Sequence, residues 1–187
     1  MQIFVTDKSP YFSAINLDDL RLNKMILESS QLLSAALYIH GVDETILPSK
    51  PGWYKHPLAK WTAEYLEHYK WVFAHFAHLL EEFFYRKGKH HKYYPFTKFY
   101  YNKICYLTNK PEIDRYTGYK LPPQYVDTLT SCGSIFVPKF YNATTMKNVD
   151  KPIYGIYKDY LNWKWQNDIS IPTWTKREPP SWSKINV

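Results

Sequence analysis

The stretch HPLAKWTAEYLEHYKWVFAHFAHLLEEFFYRKG, residues 56–88, decides the fold. Leu58, Trp61, Tyr65, Tyr69, Val72, Phe76, Leu79 and Phe83 recur in it at three- and four-residue steps. That spacing returns side chains to one face of a helix, whereas a strand would need alternation. Pro57 suits the first helical turn, where its missing N–H would have no partner anyway, and Gly88 suits the stop. The spacing predicts one helix over 57–87, long for a globular protein and hence the backbone of the molecule.

Upstream, Leu17, Leu20, Met25, Leu32, Leu33, Ala36 and Leu37 carry the same period over 17–40, with Asn16 or Asp18 as N-cap and Gly41 as stop. Pro10 is expected to bar a regular helix, leaving residues 1–6 as a short strand or an extended arm. Downstream, a third helix is expected over 95–108 and a last one over 150–165, capped by Asp150. Between them, residues 110–148 hold Pro111, Gly118, Pro122, Pro123, Gly133 and Pro138 and read as mainly irregular. The fold class is all-α: a single compact domain over 1–187, built on a few long helices with long irregular connections.

Composition narrows the function. A chain of 187 residues can bury a substantial core, and no apolar run approaches the ~20 residues that cross a bilayer. Residues 1–13 lack the basic-then-apolar layout of a signal peptide, so the expected location is the cytoplasm, the host's if the source is viral. Cys105 and Cys132, without CxxC spacing, give neither a disulfide framework nor a zinc site. Six glycines and no GxxxxGK[ST] or GxGxxG motif argue against a nucleotide-cofactor fold, and no cofactor is expected. His68, His75 and His78 lie on the long helix, but no second ligand group supports a metal, so they read as solvated-face histidines. Aromatic residues make up 19% of the chain, more than one small core absorbs, so some rings are contact or stacking surface.

The net charge of +7 points to a polyanion, nucleic acid or an anionic membrane, and its concentration among aromatic residues suits nucleic acid, although a solvated basic helix end followed by core aromatics would look the same. Residues 50–103 hold ten Lys/Arg against four Glu. Within Arg86–Lys103, Arg86, Lys87, Lys89, Lys92, Lys98 and Lys103 face no acid in sequence, and Tyr85, Tyr93, Tyr94, Phe96, Phe99, Tyr100 and Tyr101 are interleaved with them. Lysines attract phosphates while ring faces stack on exposed bases. The expected DNA contacts are His56, Lys60, Arg86, Lys87, Lys89, His91, Lys92, Lys176 and Arg177. His56 reads equally as a phosphate contact or a helix cap. Lys176 and Arg177, between Trp174 and Trp182, either close over a ligand or belong to a tail docked on the core.

On the first long helix, Arg21, Lys24, Glu28 and Gln31 stand at steps of three, four and three and line one face. An exposed salt-bridged stripe would look the same. If the stripe faces a pocket, a shielded Lys24 can lose its proton and act as nucleophile, Glu28 can move protons and Arg21 can hold a phosphate.

The blocks LDDLRLNKMILESSQLLSAAL (17–37), KHPLAKWTAEYLEHYKW (55–71), EEFFYRKGKHHK (81–92) and WTKREPPSW (174–182) resemble, in order, small phage proteins related to the pyrimidine-dimer DNA glycosylases, the ultraviolet-damage endonucleases. The resemblance implies a compact α-helical domain that cleaves a base–sugar bond with an amine, through an imine at the sugar C1′ and then strand scission by β-elimination. Glu28 matches the family's catalytic glutamate, and Arg21 stands where the family has a basic residue near the substrate. The family's nucleophile is an N-terminal α-amine exposed when the initiator Met is removed ahead of a small residue. Here residue 2 is Gln2, a bulky residue that normally leaves Met1 in place. Three outcomes stay open: the α-amine of Met1 attacks, Lys24 attacks, or lyase chemistry is lost. Lys24 is preferred because its spacing to Glu28 supplies a base. The expected function is a DNA N-glycosylase with or without AP-lyase activity. The alternatives are a same-fold enzyme redirected to nucleobase modification and a non-catalytic single-strand binder.

Overall fold

A computed structural model describes residues 1–108 and 153–185. The expectations for 110–148, the capping role of Asp150 and the fate of Cys132 lie outside the described residues. The described residues form helices joined by loops: α1 (Pro10–Ile15), α2 (Asp19–Ile39), α3 (Pro57–Glu64), α4 (Leu66–Lys87), α5 (Thr97–Thr108) and α6 (Ile153–Asn167), with short 3-10 turns at Glu44–Ile46 and Tyr94–Phe96. No sheet forms among these residues, and none of their helices is long and apolar enough to cross a membrane. Residues 1–6 form an extended arm, with Ile3, Phe4, Val5 and Thr6 buried.

Two expectations are corrected. Pro10 does not bar a helix; it starts one at its first position, where Ser9 Oγ accepts from Phe12 N as N-cap. The helix expected over 57–87 is two, because Tyr65 is extended (φ −131°, ψ 143°). Helical continuity would give the Trp61 carbonyl to the amide of Tyr65. Instead His68 Nδ1–H donates to that carbonyl at 2.7 Å, and the two rings stack with centroids 4.1 Å apart. The break turns Tyr65 outward, while Tyr69, Val72, Phe76 and Leu79 keep the core face that the period requires.

The other boundaries follow the local chemistry. Asp18 Oδ2 accepts from Arg21 N and caps α2, whose end passes to Gly41 at φ +82°. His56 Nδ1 accepts from Leu58 N at 3.2 Å and caps α3, and Gly88 at φ +68° closes α4. α4 is the central element and packs against α1, α2, α3 and α5. Its His68, His75 and His78 are buried rather than solvated, a second correction on this helix. Between α2 and α5, Tyr100 Oη meets Ser30 Oγ at 2.6 Å and Ser34 Oγ at 2.8 Å, so these buried hydroxyls satisfy one another.

The tail after α6 is clasped to the ends of α2 and α4. Arg86 is 2% exposed; it donates to Glu82, Asp19 and the carbonyls of Leu17 and Ile15, all between 2.8 and 3.0 Å. Arg177 grips both oxygens of Glu82 at 2.7 Å, and Asp19 accepts from Lys87 and from the backbone of Thr175. Trp174 docks in the core, 5.0 Å from the ring of Trp165.

Candidate active site

The polar stripe of α2 does face a pocket. The N-terminal arm, the first half of α2 and the end of α6 enclose a space of about 280 Å³, lined among others by Met1, Gln2, Arg21, Lys24, Glu28, Tyr160, Lys164 and Asp168. The helical period carries Arg21, Lys24 and Glu28 to this wall. Leu20, expected in the core, is exposed there instead. Gln31 is half-buried and does not line the space.

Glu28 is the centre of the arrangement. It is only 8% exposed, Oε1 lies 3.6 Å from Lys24 Nζ, and Oε2 accepts from the backbone N–H of Gln2. One carboxylate therefore joins the α2 stripe to the start of the chain. The side chain of Lys24 is 64% exposed, so the shielding asked of a lysine nucleophile is not provided. Met1 is half-buried on the pocket wall. Its α-ammonium also reaches His56 electrostatically: burial first, then that positive charge, hold the His56 imidazole below its ordinary range. His56 thus belongs to the surroundings of the amine as well as capping α3.

Arg21 is held differently from the expectation. Its guanidinium is buried, donating Nη1–H to Asp18 at 2.9 Å and Nη2–H to Asp168. Two carboxylates take its charge, so it shapes the wall and is no free phosphate receptor. Asp18 also accepts from Trp165 Nε1 at 2.8 Å, which ties α6 to the N-cap of α2. Arg21 Nε and Gln2 Nε2 are buried donors with no partner among the described residues. Sequence reasoning missed Tyr160, Lys164 and Asp168. Their spacing on and just after α6 is ordinary, and tertiary contacts such as Trp165 with Asp18 and Asp168 with Arg21 bring them to α2.

The expected DNA contacts separate by exposure. Lys60, Lys89, Lys92 and Lys176 are exposed. His91 is half-buried: its Nδ1 accepts from Tyr93 N, and its ring packs on Phe83 at 5.0 Å. Arg86 is corrected, since its guanidinium is spent inside the clasp and cannot meet a phosphate. Lys87 and Arg177 are paired with Asp19 and Glu82. Burial works to raise the Asp19 carboxyl, but hydrogen bonds from Lys87, Thr175 and Arg86 outweigh it and bring it down to about 2. The basic stretch is thus partly neutralised by acids distant in sequence. The tail docks, as one of the two readings of Lys176 and Arg177 required, with Lys176 at φ +60° donating to the carbonyl of Tyr85 at 2.9 Å. No cluster of three metal-ligating side chains occurs among the described residues.

The family model described as pyrimidine dimer DNA glycosylase matches residues 1–96, from the N-terminal arm through α4 to the turn at Tyr94–Phe96. No curated protein and no solved structure matches the chain.

Proposed function

Since the chain belongs to the pyrimidine dimer DNA glycosylase family, an enzyme family acting on damaged bases in DNA, we propose that its chemistry is amine attack on the sugar C1′ of the damaged nucleotide, with Glu28 as the group that moves the proton. The observation that carries this reading is the buried Glu28 carboxylate set between Lys24 Nζ and the start of the chain on the pocket wall. In the reaction an unprotonated amine bonds to C1′ as the C1′–N bond to the base breaks, and the base leaves with a proton. The attached nitrogen gives up a proton and the C1′–O4′ bond opens, O4′ taking up a proton; the protonated imine so formed lets C2′ lose a proton as the 3′ phosphate is expelled by β-elimination, the AP-lyase step.

The α-amine of Met1 is the preferred nucleophile. It shares the pocket with Glu28 and lies within electrostatic reach of His56, whose depressed basicity keeps a neutral imidazole at hand. Lys24 is the second reading, favoured by its 3.6 Å approach to Glu28. Exposed Lys60, Lys89, Lys92 and Lys176, with half-buried His56 and His91, supply the phosphate contacts, and salt weakens binding accordingly.

Borohydride trapping on ultraviolet-damaged duplex DNA tests the chemistry. Wild type should give a covalent adduct that survives Lys24→Ala and disappears when the α-amine is blocked. The opposite pattern moves the nucleophile to Lys24. Glu28→Gln should slow base release at least about a hundredfold while sparing DNA affinity. Absence of base release by wild type on a panel of damaged substrates overturns the reading.

A further inference from the structure

Just beyond Gly88, Lys89, His90, Lys92 and Tyr94 are exposed, and His90 and Tyr94 form a column of rings with Phe84 of α4. Phe84 on the last turn of α4 stacks on His90 with centroids 4.5 Å apart and planes at 20°. His90 stacks on Tyr94, at the start of the next turn, at 4.0 Å and 28°. The left-handed Gly88 lets the chain fold back so that His90 lies against the helix it has just left. Phe84 is 46% exposed and Tyr94 47%, whereas Tyr100 in the same stretch is buried in the core. Rings held nearly parallel in water offer a flat surface on which a further planar group can stack.

The surroundings say what kind of group. Lys89 and Lys92, before and after His90 in sequence, are exposed, and no acidic residue occurs between Phe83 and Lys103. A flat partner carrying negative charge fits, and a second copy of the chain would bring its own lysines against these. The column builds on the last turn of α4, which is tied to the start of α2. Lys87, between Phe84 and His90, donates to Asp19 at 2.8 Å, and Asp19 is followed by Leu20 and Arg21 of the pocket wall.

We propose that Phe84, His90 and Tyr94 form a stacking platform for an unpaired base of a nucleic-acid strand whose phosphates are held by Lys89 and Lys92. The platform needs neither a damaged base nor amine chemistry, so it stands apart from the reaction proposed above. Its test is equilibrium binding of an undamaged, mixed-sequence single-stranded oligonucleotide to the whole chain, followed by fluorescence anisotropy over a range of salt. Replacing both outer rings by Leu keeps apolar bulk but removes the flat faces. Phe84→Leu with Tyr94→Leu should weaken binding roughly tenfold or more, with the salt slope unchanged. Phe84→Tyr with Tyr94→Phe keeps the rings and should bind as wild type does. Lys89→Ala with Lys92→Ala should weaken binding and flatten the slope by about 1.4, the share of two single-strand phosphates. Wild-type affinity in the Leu pair overturns the platform. So does sedimentation showing that these rings hold two copies of the chain together. Borohydride trapping on damaged duplex, run alongside, reports the catalytic reading independently.

Discussion

His75 shows how much one side chain can decide. It is fully buried against Trp71, and neither ring nitrogen has a hydrogen-bond partner among the described residues. Burial, reinforced by nearby His78, brings it down to about 3, and burial brings His68 to about 4. Both are therefore neutral in the fold, while the unfolded chain takes up protons below about 6.5. Stability must fall as pH drops through that window, by about 1.4 kcal/mol per pH unit for each histidine still neutral. His75→Phe keeps a ring and removes the titration. Its unfolding free energy from urea titration should fall less than that of wild type between pH 7 and about 4.5, by a difference of about 2.5 kcal/mol, and its midpoint correspondingly less. Parallel midpoints would mean that His75 is not the acid-sensitive group. Of the candidate site, the α2 stripe was legible because helical spacing alone puts Arg21, Lys24 and Glu28 on one wall. Asp168 was not, since its contact with Arg21 spans 147 residues and depends on how α6 packs.

At the scale of elements, local chemistry marked most boundaries: Asp18, Gly41, Pro57 and Gly88 all serve as their residue types suggest. The break at Tyr65 escaped because the apolar period runs through it unaltered. What breaks the helix is the competition of the His68 side chain for the Trp61 carbonyl, a contact without a sequence signature. Pro10 misled for a related reason, because proline forbids a helix interior and suits a helix start. Arg86 joins α4 to the end of α1 and the beginning of α2. Arg86→Ala leaves Glu82 buried with one cation fewer and two carbonyls without a donor. Chemical denaturation should register a loss of about 3–5 kcal/mol. Arg177 meets the same carboxylate with its side chain 30% exposed, so Arg177→Ala should cost only about 1 kcal/mol. Equal losses would place the two arginines on the same footing and refute the distinction.

For the molecule as a whole, the count of charges overstated the basic face. Asp19 and Glu82 take up Arg86, Lys87 and Arg177, so the proposed DNA contacts narrow to Lys60 and the cations beyond Gly88. The tail that completes this clasp is anchored by Trp174, whose Nε1 donates to the carbonyl of Asn16 at 3.4 Å. Trp174→Ala should destabilise by about 3 kcal/mol or more. It should also weaken base release, because the pocket wall at Asp168 lies just before the tail; a thermal melt and a turnover assay on one preparation check both. The pocket draws on the N-terminal arm, α2 and the end of α6, so a ribosome needs on the order of ten seconds to travel from Glu28 to Asp168. Throughout that interval the nascent chain already carries Glu28, Lys24 and the α-amine but lacks the third wall of the pocket. A message cut short between the codons for residues 28 and 168 encodes a product that keeps the groups proposed to react without the wall that would aim them.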